Sequence, residues 1–268
     1  MSHPHPLISP EELIQRLSEV KLVDIRWALT DPSYGRSAYE AGHLPGAVFA
    51  DLDRDLSGAP GPGRHPLPDV ETFASTLGCL GISPDDEVVT YDDAGGTVAA
   101  RLWWMLRAIG HERSRLLDGG YRTWVDLGHA VEVGGRVPTP AVYPVPEKFD
   151  GTIERERLAE GILIDARAPE RYRGEIEPVD PKAGHIPGAI NRPATSNLGQ
   201  DGRFRDKEDL AAIYGGLGEK VFVSCGSGVN GCHDAVAMVI AGLPMPLLYV
   251  GSFSEWSNLD LPVETGGE

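Results

Sequence analysis

The residues best placed to do chemistry lie between positions 221 and 231. Val221-Phe222-Val223-Ser224 is a short apolar run, the pattern of a buried strand. Cys225 follows it, and then Gly226-Ser227-Gly228-Val229-Asn230-Gly231, a stretch too rich in glycine for helix or strand. The apolar run Ala235 to Ala241 then reads as a buried helix. The thiol therefore stands where a strand ends, a tight loop turns and a helix begins. Such a loop aims several backbone N–H groups at one point, and the helix dipole adds positive potential there. A thiol so placed gives up its proton more readily, and the thiolate is the nucleophilic form.

The rest of the chain must hold that loop in place. With 268 residues, 41% of them hydrophobic, the chain suits two domains better than one core. A net charge of −16 argues against nucleic acid or an anionic membrane as partner. No run of about 18 apolar residues is long enough to span a membrane. The start, Met1 to Pro6, is polar and lacks the apolar core of a signal peptide. Three scattered cysteines fit a reducing, cytoplasmic setting without disulfides. His3 and His5 read as part of a disordered tail rather than a metal site. No glycine-rich nucleotide loop and no Cys/His zinc spacing is present, so neither cofactor nor metal is expected.

The chain repeats itself. Leu22-Val23-Asp24-Ile25-Arg26 returns as Leu163-Ile164-Asp165-Ala166-Arg167, and His43-Leu44-Pro45-Gly46-Ala47 as His185-Ile186-Pro187-Gly188-Ala189. Gly119-Gly120-Tyr121-Arg122-Thr123-Trp124 returns as Gly251-Ser252-Phe253-Ser254-Glu255-Trp256. A period near 140 residues is far beyond solenoid lengths and marks a duplicated domain. The expected division is a first domain over 1–135, a proline-rich linker over 136–150 and a second domain over 151–268. Each half alternates strand and helix patterns, which predicts an α/β fold: a mainly parallel sheet with helices on both faces. In the first half the pattern predicts helices over 11–18, 70–77 and 99–108, and strands over 21–24, 87–91 and 115–117. In such sheets ligands bind outside the carboxyl ends of the strands, where Cys225 lies. The first half has Asp92 at or beside the matching position, and a carboxylate cannot do thiolate chemistry.

Taken in order and twice over, these motifs resemble the tandem-domain rhodanese family of sulfurtransferases, from Leu22 to Trp256. The loop Cys225-Gly226-Ser227-Gly228-Val229 is similar to that of the mercaptopyruvate sulfurtransferase branch. The thiosulfate-preferring branch places basic residues directly after its cysteine, where this chain has Gly226 and Ser227. The resemblance implies a persulfide on Cys225, formed from a small anionic sulfur donor, 3-mercaptopyruvate, with release of pyruvate. The sulfur then passes to a thiol, such as a thioredoxin-like protein, or to cyanide. It implies a proton relay of Ser227, Asp53 and His65, the last two supplied by the first domain as one wall of a cleft. It makes Arg171 the arginine for the substrate carboxylate, and Gly226, Gly228, Val229 and Asn230 the substrate-facing loop. In that branch a second arginine often precedes the HxPG motif. Here the stretch before His185 is about two residues shorter, and Lys182 is the cation at that place.

Three other functions fit parts of this pattern. A thiosulfate:cyanide sulfurtransferase would share the fold. A non-catalytic persulfide carrier would share the cysteine. A cysteine phosphatase would need Cys-x5-Arg, and Gly231 stands where the arginine belongs. The remaining features read as structure: Asp24 and Asp165 as loop anchors, His43 and His185 as partners of loop carbonyls, and Cys79 and Cys232 as packed residues. Trp103, Trp104, Trp124 and Trp256 read as core.

Overall fold

The structure is a computed structural model that describes residues 5–267. His3 lies outside the described residues. The chain divides into two units. The first holds the chain up to Ser57, Pro68–Asp150 and Gln200–Phe204; the second holds Gly58–Leu67, Gly151–Gly199 and the chain from Arg205 onward.

The first unit is built on strands β1 (Leu7–Ile8), β2 (Val20–Asp24), β3 (Val48–Phe49), β4 (Glu87–Tyr91) and β5 (Ser114–Leu117), in the order β1-β5-β4-β2-β3. All its pairings are parallel. Every residue of β4 is buried, which requires cover on both faces of the sheet. The second unit carries β6 (Ile162–Asp165), β7 (Ile190–Asn191), β8 (Val221–Ser224) and β9 (Leu247–Leu248), in the order β7-β6-β8-β9, again parallel. The counterpart of β1 is reduced to a bridge between Thr152 and Leu248. The two sheets thus have one topology.

The repeated motifs turn out to be structural devices. Arg26 Nη2 lies 2.7 Å from Asp24 Oδ2 and 2.6 Å from the Gly42 carbonyl. Arg167 Nη2 repeats this, 2.7 Å from Asp165 Oδ2 and 2.7 Å from the Gly184 carbonyl. His43 Nδ1 and His185 Nδ1 each sit 2.8 Å from a backbone carbonyl, of Tyr39 and Tyr172. Each imidazole stacks on the ring of that same tyrosine.

Of the expected first-half elements, β2, β4, β5 and the helices Val70–Cys79 and Ala100–Ala108 stand close to their sequence bounds. The first helix is cut to Pro10–Leu13. Trp103, Trp104 and Trp124 are buried core, while Trp256 is partly buried. Cys79 departs from expectation: it is exposed, at the end of its helix.

Two corrections concern the domain boundaries. The proline-rich stretch up to Asp150 belongs to the first unit instead of standing apart as a linker. Its Ala141 amide, for example, bonds the Gly78 carbonyl at 2.9 Å. Residues 58–67 belong to the second unit, although their place in the sequence lies inside the first. Their bonds explain this: Arg64 N–H donates to Ser254 Oγ at 3.1 Å, and Asn258 Nδ2 donates to the Pro62 carbonyl at 2.8 Å.

Candidate active site

β8 delivers Cys225 to the carboxyl edge of the second sheet, and the residue is buried. Its amide donates to Ser252 Oγ at 3.1 Å, and its Sγ accepts the Gly228 amide at 3.2 Å. Gly228 has φ +76°, and a Cβ there would lie 2.4 Å from the Val250 carbonyl oxygen. Only glycine fits, both for conformation and for space. Cys232 Sγ donates to the Gly228 carbonyl at 3.3 Å, so the second thiol packs under the loop as a structural residue.

The loop is shorter than its composition suggests. The helix Asn230–Ile240 starts within the glycine-rich stretch, with Val229 at its N-cap and no side chain capping it. It is buried on nearly all sides, which marks a core helix. Among the described residues the amides of Gly226, Ser227 and Val229 have no protein acceptor. Val229 is buried and Asn230 exposed.

The first unit shows what such a loop does with an anion. The Tyr121 amide bonds the Asp92 carbonyl as the Phe253 amide bonds that of Cys225, at 2.8 and 3.0 Å. Asp92 is therefore the positional equivalent of Cys225. Its carboxylate accepts four amides, from Ala94 and Gly96 on Oδ1 and from Val98 and Ala99 on Oδ2, each at 2.8 Å. That loop is closed on its own side chain. The loop of the second unit leaves its amides for something else.

Ser227 Oγ and His65 Nδ1 share a hydrogen bond of 2.7 Å, and both residues are buried. His65 was expected from the first domain; it comes instead from the segment 58–67 that packs into the second unit. Asp53 lies on the short helix Leu52–Asp55 of the first unit, where its Oδ2 accepts Trp27 Nε1–H at 2.8 Å.

Arg171 is engaged with two carboxylates. Its Nε donates to Glu177 Oε2 at 3.2 Å, and its Nη2 to Glu177 Oε1 at 2.7 Å and Asp180 Oδ2 at 3.0 Å. Lys182 is not part of this group. Its Nζ donates to the Leu261 carbonyl and pairs with Asp260, both at 2.7 Å. Arg64 lies at the loop beside Arg171, and its Nη1 pairs with Asp180 Oδ1. A Cβ on Gly226 would lie 2.8 Å from Arg64 Nη2 and 3.6 Å from Arg171 Nη1. Burial pushes the Asp180 carboxyl up, against the pull of the Arg64 guanidinium. Burial acts the same way on Glu177, but its hydrogen bonds from Arg171 and from the Asp180 and Val179 amides hold it below the usual range.

Two neighbours of the loop were not singled out from the sequence. Arg64 could have been noticed as a basic residue beside His65 in an acidic chain. Ser252 could have been noticed as the non-glycine partner of Gly120 in the repeat. It is fully buried with φ +51°, a left-handed conformation that costs an L-residue about 1–2 kcal/mol. Its Oγ accepts the Cys225 amide and donates to the Tyr249 carbonyl at 2.9 Å, which holds it there. Behind the loop, Asp234 is fully buried, and Asn197 Nδ2 donates to its Oδ1 at 2.9 Å. Burial pushes its carboxyl up to about 8.

Comparison with known proteins agrees with this geometry. The model of the rhodanese-like domain matches twice, over residues 9–127 and 145–259. A probable 3-mercaptopyruvate sulfurtransferase of Pseudomonas aeruginosa is 44% identical, over 97% of this chain and 98% of its own length. A putative thiosulfate sulfurtransferase of Mycobacterium tuberculosis is 42% identical, over 94% of each chain. The solved structure of a 3-mercaptopyruvate sulfurtransferase from Leishmania major superposes with a TM-score of 0.87 at 31% identity, covering 96% of this chain and 76% of that one.

Proposed function

The chain belongs to the rhodanese family, with two such domains in tandem, and on that premise we propose that it transfers sulfur from 3-mercaptopyruvate through a persulfide on Cys225. The observation that carries the reading is Cys225 in a loop of unclaimed amides, with the Ser227–His65 hydrogen bond two residues on. The Cys225 thiolate attacks the donor sulfur, and an S–S bond forms as the C–S bond breaks. The bonding pair leaves on carbon as the enolate of pyruvate, which takes up one proton. Ser227 and His65 pass that proton, and Asp53, by family resemblance, completes the relay. The persulfide's negative charge is met by the amides of Gly226, Ser227 and Val229 without any cation on the sulfur itself. A thiol, such as that of a thioredoxin-like protein, or cyanide then attacks the outer sulfur and restores the thiolate.

In this reading the first domain is non-catalytic, because Asp92 fills the thiol's place. Three free cysteines suit a reducing, cytoplasmic compartment. Among the described residues no helix is long and apolar enough to cross a membrane.

The relative named as a thiosulfate sulfurtransferase favours one second reading, thiosulfate as donor. Thiosulfate is a dianion that suits a basic loop, and here the two residues after the cysteine are glycine and serine. Steady-state turnover on both donors with one acceptor decides. The proposal requires the higher kcat/KM on 3-mercaptopyruvate; a higher value on thiosulfate replaces it with the second reading.

A further inference from the structure

We propose that the first unit carries a binding site of its own, for a small organic phosphate, in a cavity walled by Arg36, Arg54 and Arg136. Every residue of that cavity belongs to the unit without the nucleophile, so the site stands or falls apart from sulfur transfer.

The cavity has a volume of about 580 Å³, within the usual range for small-ligand sites. Three stretches of chain supply its cations. Arg36 comes from the helix Tyr34–Ala41, Arg54 from the short helix Leu52–Asp55, and Arg136 from the proline-rich stretch. That stretch is tied down. The Gly134 amide donates to the Glu40 carbonyl at 2.8 Å, the Arg136 amide to Tyr39 Oη at 3.3 Å, and the Ala141 amide to the Gly78 carbonyl at 2.9 Å. Its packing onto the first unit is what brings the third guanidinium to the cavity.

The chain has 40 acidic residues for 24 basic ones, so a guanidinium left without a carboxylate needs a reason. Arg36 has no carboxylate. Its guanidinium stacks 4.5 Å over the ring of Phe49, and among the described residues its N–H groups have no protein acceptor. The side chain of Arg136 makes no hydrogen bond or ion pair among the described residues either. Arg54 is held side-on by Asp55, through Nε and Nη2 at 2.8 Å each, which leaves Nη1. Of the two carboxylates in the lining, Asp55 is therefore taken, while Glu71 is exposed and pairs with none of the three arginines. Like charges round one cavity repel one another in the free protein, and a bound anion relieves that repulsion.

Guanidinium groups bind phosphate by paired N–H donors, and three of them suit a doubly charged tetrahedral head better than a single planar carboxylate. Ser75 and Thr76 add hydroxyls from the helix Val70–Cys79. Val48, Phe49, Leu80 and Pro138 give the carbon body of the ligand an apolar wall.

Phenyl phosphate is the probe, with titration calorimetry on the full chain at fixed ionic strength. Cys79 reports the place: its exposed thiol lines the same cavity, and its labelling by iodoacetamide is read by mass on the Cys79 peptide. One phenyl phosphate should bind per chain and slow that labelling saturably. Arg36→Gln and Arg136→Gln should each weaken binding about 10-fold or more, the scale of one charge-assisted contact. Arg122→Gln makes the same charge change on the helix Gly120–Asp126, outside the cavity, and should leave both readouts as in wild type. If loss of the Phe49 stacking keeps Arg36→Gln from folding, Arg136→Gln decides alone. No saturable binding, binding that leaves Cys79 labelling untouched, or an equal loss in Arg122→Gln overturns the proposal. Inorganic phosphate binding as tightly as phenyl phosphate would make free phosphate the ligand and overturn the organic body; phenol binding as tightly would overturn the role of the arginines. No sulfur donor is present, so a chain that fails to turn over 3-mercaptopyruvate still reports on this site.

Discussion

Ser227 Oγ and His65 Nδ1 lie 2.7 Å apart although 162 positions separate them in the chain. The contact exists because residues 58–67 leave the unit that surrounds them in sequence and pack into the other. It gives the hydroxyl two residues past the nucleophile a titratable partner.

The relay predicts a specific loss. His65→Asn keeps a polar side chain of similar reach but cannot carry a proton. It should lower kcat on 3-mercaptopyruvate by about 100-fold, the usual scale for a removed acid–base group. Alkylation of Cys225 by iodoacetamide, which needs no proton delivered to carbon, should stay within a few-fold of wild type. Equal losses in both assays would mean that His65 only supports the loop.

Ser252 predicts a coupled effect on stability and rate. Its Oγ holds the Cys225 amide at 3.1 Å from a strained backbone. Ser252→Ala keeps the strain, removes the bond and leaves a buried amide unpaired. It should cost about 1–3 kcal/mol in urea unfolding and lower turnover as well. A variant with wild-type stability would show that the bond contributes nothing.

Gly228→Ala should be worse tolerated than Gly226→Ala. The first forces a Cβ to 2.4 Å from a backbone carbonyl at positive φ, whereas the second meets only the end of the flexible Arg64 side chain. A loss of at least about 2 kcal/mol is expected for Gly228→Ala. Comparable melting temperatures for the two variants would refute the assignment of the turn.

Much of this was legible in the sequence. The strand–Cys–loop–helix order was plain because a buried parallel strand leaves an uninterrupted apolar run, Val221 to Val223, with glycines directly after. The repeat was legible because each half needs the same Asp–Arg anchor and His–carbonyl bond. What was hidden was three-dimensional. Nothing in Pro62-Gly63-Arg64-His65 says that this segment joins the second unit, since its bonds go to Ser254 and Asn258, nearly 200 positions away. The hydrogen bond of Lys182 to the Leu261 carbonyl and its pairing with Asp260 were equally invisible.

Asp234 predicts a pH dependence. Burial pushes its carboxyl up to about 8, with Asn197 and Tyr214 pulling the other way, against an unfolded value of about 3.9. Between those values the folded chain holds a proton that the unfolded chain has lost. Stability from this group is therefore complete below the lower value and falls as pH rises towards the upper one, by up to about 1.4 kcal/mol per pH unit. Asp234→Asn removes the titration. Urea midpoints from pH 5 to 8 should drop more steeply for wild type than for the variant; parallel curves would contradict a neutral buried carboxyl.

The central claim is a sulfur atom held on Cys225. Intact-protein mass after brief treatment with 3-mercaptopyruvate, without acceptor, tests it most directly. The account predicts a gain of about one sulfur in wild type, its removal by cyanide or a thiol, and no gain in Cys225→Ser. No gain in the folded wild-type protein, or an equal gain in Cys225→Ser, would contradict it.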